Sequence, residues 1–214
     1  IVEAIRTAER NTSGEIRVHI EASSNKDDEN SNIPAGYTYL GQFIDHDITQ
    51  DRQSRIDAIH TIFPENTKIF RNPALDLDSI YLGGPRMNPE LYERDKKTFK
   101  IGQTSEIMGL GTFNNDLPRQ DARALIGDSR NDENLIVSQT QLAFMKFHNS
   151  RVAANPNTSF EELRQEVVLH YQSIILTDFL PKIIDPDILN DVLQNGRCVY
   201  TNLMNDCIPL EFSR

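Results

Sequence analysis

Apolar positions in this chain follow two periods, separated by polar breaks. Ile1, Val2, Ile5 and Ala8 recur at helical intervals, and Asn11 to Gly14 ends that run. Glu15 to Glu21 alternates strictly, with Ile16, Val18 and Ile20 on one side, which predicts a half-buried strand with His19 on its polar face. From Ala22 to Asn32 no apolar residue follows the first, so residues 23–32 read as a solvated linker. After Pro34 and Gly36 the pattern turns helical. Gln42, Asp45 and His46 stand at i, i+3 and i+4 and share one face, while Phe43, Ile44 and Ile48 supply apolar surface. Asp47 lies about 100° further round the axis and points elsewhere.

Residues 51–67 read as loop with short turns, and His60 there as a surface or internally satisfied histidine. Pro73 disfavours helix, so Asn72 to Ser79 is expected to be extended. Pro85 to Asp121 is rich in Gly, Pro and Asn and reads as mostly irregular, with a turn at Asp116 to Arg119. A long helix is predicted from Leu135 to about Val152, stopped by Asn155-Pro156-Asn157. Ser159 and Glu162 form a capping box opening a second helix that runs to about Leu180, its inner stripe Leu163, Val167, Tyr171, Ile174 and Ile175, with Pro181 at its end. Asp185 caps a last helix, with Pro186 in the first turn and Asn195-Gly196 closing it. His148 and His170 are expected to be core or interface residues. The predicted class is mainly α.

The 214 residues suffice for one sizeable core or two small ones. A net charge of −10 argues against nonspecific nucleic-acid binding. No apolar run approaches the roughly 18 residues of a membrane span, and no signal-peptide pattern opens the sequence. Cys198 and Cys207 could pair or stay free, and two cysteines do not decide the compartment.

Two groups of residues carry candidate chemistry. Buried carboxylate and imidazole groups are costly unless paired or used, so the Gln42, Asp45, His46 face is either a satisfied structural cluster or a site. In an extended segment positions 72, 74, 76 and 78 face one way. Asn72, Asp76 and Asp78 would then present oxygens together with the Ala74 carbonyl, a donor set suited to a hard cation.

Tyr39 to Thr49, with Gly41-Gln42-Phe43-Ile44-Asp45-His46-Asp47, resembles the distal-histidine helix of the peroxidase–cyclooxygenase superfamily, the animal-type haem peroxidases and their bacterial relatives. The resemblance continues in order through Asn72 to Tyr81, Leu82 to Pro85, Ala124 to Leu135, Phe147 to Asn149 and Asp178 to Pro181, over roughly residues 33–214, and a bacterial member looks most similar. Residues 1–22 instead resemble the first helix and strand of a TPM domain.

The resemblance implies the distal half of a haem peroxidase domain that uses hydrogen peroxide to oxidise small organic or halide donors, as in a response to oxidative stress. It makes His46 the acid–base, Arg130 the cation that stabilises charge on the departing oxygen, and Gln42 a hydrogen-bonding group of the pocket. Asp45 and Glu133 match carboxylates that many relatives join to haem as esters. Calcium would be held by Asp47, Asn72, the Ala74 carbonyl, Asp76 and Asp78, with Asn72 where many relatives carry Thr. A secreted or extracellular location is favoured on the same ground. In the family the proximal histidine follows a helix opening with words like Leu210 to Arg214, so that ligand is expected to lie outside these residues, leaving the helices over 135–152 and 160–180 with uncovered apolar faces. Two other readings stay open. Fatty-acid dioxygenation is separated by whether a small phenol is oxidised without lipid turnover, and a non-catalytic calcium-stabilised fragment by the absence of a Soret band on adding haem.

Overall fold

In the computed structural model, residues 33–50, 71, 74–103 and 115–196 are described. The expectations for residues 1–32 and 51–67, and for His19, His60, Asn72, Cys198 and Cys207, lie outside them. The architecture is mainly α. Helix α1 spans Gly36–Ile48, α2 Asp78–Tyr81, α3 Gly84–Met87, α4 Leu135–Ala154, α5 Phe160–Ile174, α6 Leu180–Ile183 and α7 Pro186–Asn195. One two-stranded hairpin, β1 Arg119–Gln120 with β2 Arg123–Ala124, pairs Arg119 with Ala124. It occupies the place where a simple turn and irregular chain were expected. Among the described residues no helix is long and apolar enough to cross a membrane.

The caps follow the sequence. Ser159 Oγ accepts from the Glu162 amide while the Glu162 carboxylate accepts from Ser159 N, so the capping box forms. Asp185 accepts from the amides of Asp187 and Ile188, and Gly196 closes α7 at φ +72°. Pro181 does not end the helix begun at Phe160. Ile175–Phe179 form a π turn, in which the Leu180 amide donates to Ile175 O, and the chain winds on to Ile183. Proline lacks an N–H and crowds the carbonyl four residues back. The wider turn just upstream already sets the spacing of that ladder aside.

Three rings join the long helices. Phe43 of α1 stacks on Phe144 of α4 at 5.3 Å and 4°, and Tyr171 of α5 meets both edge-on, at 6.2 and 5.5 Å. A second cluster gathers Tyr81, Tyr92, Phe99, His148 and Phe160. His148 is fully buried there, with Nε2 2.9 Å from Lys97 O and Nδ1 3.0 Å from the Tyr81 hydroxyl. A carbonyl only accepts, so Nε2 carries the proton and Tyr81 donates to Nδ1. Burial holds His148 below the ordinary histidine pKa. This is the core histidine expected. His170 is instead exposed on α5, its ring against Phe147. Leu135, Leu169 and Leu176 are about half exposed on the long helical segments, as are Ile188, Val192 and Leu193 on α7.

The α1–α4–α5 junction makes a quantitative demand. Phe144→Ala should cost about 3–5 kcal/mol in urea denaturation, the usual result of emptying a buried aromatic site. A loss below about 1 kcal/mol would show that the three rings do not hold the helices together.

Candidate functional site

The polar face of α1 meets the segment that leads into α4. Asp128 caps a 3-10 turn, Ser129–Asp132, by accepting from the Arg130 amide, and Asn134 caps α4 by accepting from the Val137 amide. These caps fix the chain where it crosses α1. His46, buried in α1, places Nδ1 2.7 Å from Asn131 Oδ1. Asn131 Nδ2 donates to Gln141 Oε1 at 2.8 Å, and Gln141 Nε2 donates to the Met145 sulfur at 3.6 Å. Asn134 Nδ2 donates to Gln42 Oε1 at 3.3 Å. Asp45 is half-buried and Glu133 exposed. His46 Nε2 has no partner among the described residues. The expected trio thus lies on one face, with residues 130–134 alongside it.

Arg130 is placed differently from a free pocket cation. Its Nη2 donates to His46 O at 3.0 Å and to Thr49 O, and Nε and Nη2 grip Asp128 at 3.1 and 2.7 Å. Its guanidinium therefore closes the C-terminal end of α1, where a positive charge is favoured. Among the described residues Nη1 alone of its side-chain nitrogens is uncommitted. Asp128, 1% exposed, also receives Arg71 Nη2 at 2.8 Å. Burial by itself would raise the Asp128 pKa, but hydrogen bonds from Arg130 and Arg71 hold it below the usual carboxylate range. Gly127 lets this loop touch the next one, because a Cβ there would sit 2.3 Å from Ser79 O.

Asp47 leaves α1 on another face, as its position in the helix requires. Its Oδ2 accepts from the Leu77 amide at 3.1 Å, and its Oδ1 from the Ser79 amide and hydroxyl at 3.3 and 2.9 Å. Residues 74–78 are not the extended ladder expected. Leu75 and Leu77 take positive φ, 52° and 57°, and Asp78 opens α2. The Asp47 carboxylate draws the Leu77 and Ser79 amides inward and curls the chain around itself. Asp76 and Asp78 still arrive beside it, with carboxylate oxygens of all three within 4.8 Å of one another. Ala74 is exposed.

Burial pushes Asp47 up to about 6 against the hydrogen bonds from Ser79 and Leu77, and the Asp78 charge adds to the rise. The Tyr171 hydroxyl lies inside the core beside the Asp47 carboxylate, and among the described residues it has no other hydrogen-bonding neighbour. Burial raises its pKa first, and the neighbouring Asp47 carboxylate raises it further. Three carboxylates gathered beside that hydroxyl form an oxygen-rich cluster whose donor chemistry fits a hard cation. The other face of α1 carries the His46 imidazole, the Gln42 amide and the half-buried Asp45 carboxylate, polar groups whose chemistry is compatible with the edge of a haem.

Reasoning from sequence did not single out Asn131, Gln141, Arg71, Asp128 or Ser79. A signal existed for Gln141 and Tyr171, since each puts a polar group on a helix face otherwise fit for burial and so requires a partner.

The sequence profile of the animal haem peroxidase family matches residues 72–213. No curated protein and no solved structure is significantly similar to the chain. The match begins after α1, yet α1 is bonded to it through His46 with Asn131, the His46 carbonyl with Arg130, and Asp47 with Leu77 and Ser79. With roughly two-thirds of its length matched, the chain belongs to the animal haem peroxidase family.

Proposed function

We propose that this domain, taken from about residue 33 and including α1, reduces hydrogen peroxide at a haem and oxidises small organic or halide donors. The observation that supports it best is the bond between the His46 imidazole and Asn131, which joins the candidate acid–base to the matched region. Haem, when bound, supplies the redox chemistry. His46 takes a proton from one peroxide oxygen at Nε2 and returns it to the other. Gln42, held by Asn134, orients the peroxide by hydrogen bonding. Arg130 offers Nη1 to the departing oxygen while its other nitrogens keep the end of α1 in place. Asp45 and Glu133 are the carboxylates accessible for ester links to haem methyl groups.

We also propose that Asp47, Asp76 and Asp78 hold calcium, with Asn72 and the Ala74 carbonyl completing the ligand set. The ion neutralises carboxylates that would otherwise repel each other and fixes the helix that carries His46.

In a full-length, haem-loaded form that includes the proximal ligand, His46→Ala should slow peroxide consumption in stopped-flow measurements by a factor of about 10² to 10⁴ while haem is retained. An unchanged rate would remove His46 from the reaction.

Calcium dependence should vary with pH in a definite direction. Asp47 is raised from 3.8 to about 6 in the cation-free fold, so its proton stabilises that fold. This contribution is complete below about pH 4 and is lost as pH rises through about 6, a change of about 3 kcal/mol. Calcium replaces the proton as the neutralising charge. The gap in melting temperature between calcium and chelator should therefore widen from pH 4 to 7. A constant gap, or an Asp76→Ala variant that takes up calcium like the parent, would show the ion to be elsewhere.

A further inference from the structure

We propose that Asn131, Gln141 and Met145 are positioning residues that fix the tautomer of His46, keeping the proton on Nδ1 and the lone pair on Nε2. The consequence for catalysis rests on the peroxidase reading above, whereas the tautomer itself does not.

A neutral imidazole carries one N–H, and a primary amide can turn either its oxygen or its NH₂ toward a neighbour. A histidine and an asparagine in contact therefore do not settle which of them donates. The far end of this row does. The Met145 thioether accepts hydrogen bonds and cannot donate one. Gln141, one helical turn before it on α4, must direct Nε2 to the sulfur at 3.6 Å, which turns Oε1 toward Asn131. Asn131 must then give Nδ2 to that oxygen at 2.8 Å and leave Oδ1 for His46 at 2.7 Å. Only a protonated Nδ1 completes the row. Asn131, Gln141 and Met145 are 0, 1 and 2% exposed, so water cannot take the place of a mismatched partner. Reversing any one amide sets two oxygens, or an oxygen and a sulfur, against each other in a buried site, where an unmade hydrogen bond is costly.

An imidazole free in water favours the proton on Nε2, which would close the nitrogen that must accept a proton from peroxide. The row on α4 opposes that preference without touching the substrate. Its direction is stored at Met145, three hydrogen bonds away from His46.

The test is long-range ¹H–¹⁵N NMR of the haem-free protein in calcium-saturated buffer at fixed pH. The parent should show a pyrrole-type Nδ1 and a pyridine-type Nε2 at His46. In Gln141→Leu the Asn131 amide is free to turn, and the Nε2–H form should grow by about tenfold. In Gln141→Glu the buried side chain as the neutral acid gives its hydroxyl to the Met145 sulfur and its carbonyl oxygen to Asn131, and should keep the parent tautomer. Met145→Leu, a change that leaves packing nearly intact, should raise the Nε2–H population even if Gln141→Leu does not fold. After haem loading, Gln141→Leu should slow the peroxide step by about tenfold and Gln141→Glu should restore it. An Nε2–H tautomer in the parent, or parent-like spectra in both leucine variants, would overturn the proposal. The expected spectra together with an inactive haem-loaded parent in a full-length form that includes the proximal ligand would support the row and reject the peroxidase reading.

Discussion

A carboxylate sealed inside a protein must find positive charge, and Asp128 finds it twice. Arg71 and Arg130 converge on its oxygens. Removing both arginines would leave a buried charge uncompensated, among the most expensive defects a fold can contain. Each guanidinium then carries the constraint outward. Arg130 reaches the carbonyls of His46 and Thr49 and so closes α1, while Arg71 reaches Asp78 in the neighbouring acidic group at 3.5 Å. The helix with the candidate acid–base and the loop with the candidate cation ligands are thus two branches from one buried anion.

The two faces of α1 divide the work. One presents His46 to the segment before α4, and the other presents Asp47 to the loop before α2. A single residue step along the helix separates them, about 100° of rotation. Calcium on the second face would act on the first through the backbone of that step. No side chain need pass between them.

Much of this was legible from residue order. The spacing of Gln42, Asp45 and His46 gives their common face, and Ser159 with Glu162 and Asp185 with Pro186 give the caps, because such rules involve neighbours in sequence. Long-range pairing was not legible. Asn131 is 85 residues from His46, and nothing local marks it as the partner of the imidazole. The curl at Leu75 and Leu77 was missed for a related reason. Left-handed conformations are uncommon for leucine, and here they serve a carboxylate that arrives from α1. Resemblance puts Arg130 beside the candidate site, but its grip on Asp128 and the helix end depends on tertiary geometry that no short motif encodes.

The π turn after α5 amounts to one extra residue in an otherwise continuous helix. Every side chain beyond it is rotated by about 100° relative to an uninterrupted ladder. Within the turn itself Asp178 accepts from the Tyr37 hydroxyl, 2.9 Å away, and Phe179 lies over Gly41, where an added Cβ would stand 3.2 Å from the ring. Glycine at position 41 and the surplus residue in the helix are therefore complementary parts of one fit. In a lineage of such chains, deleting one residue between Ile175 and Phe179 would empty the space above Gly41, and a larger side chain at 41 would then be the compensating change.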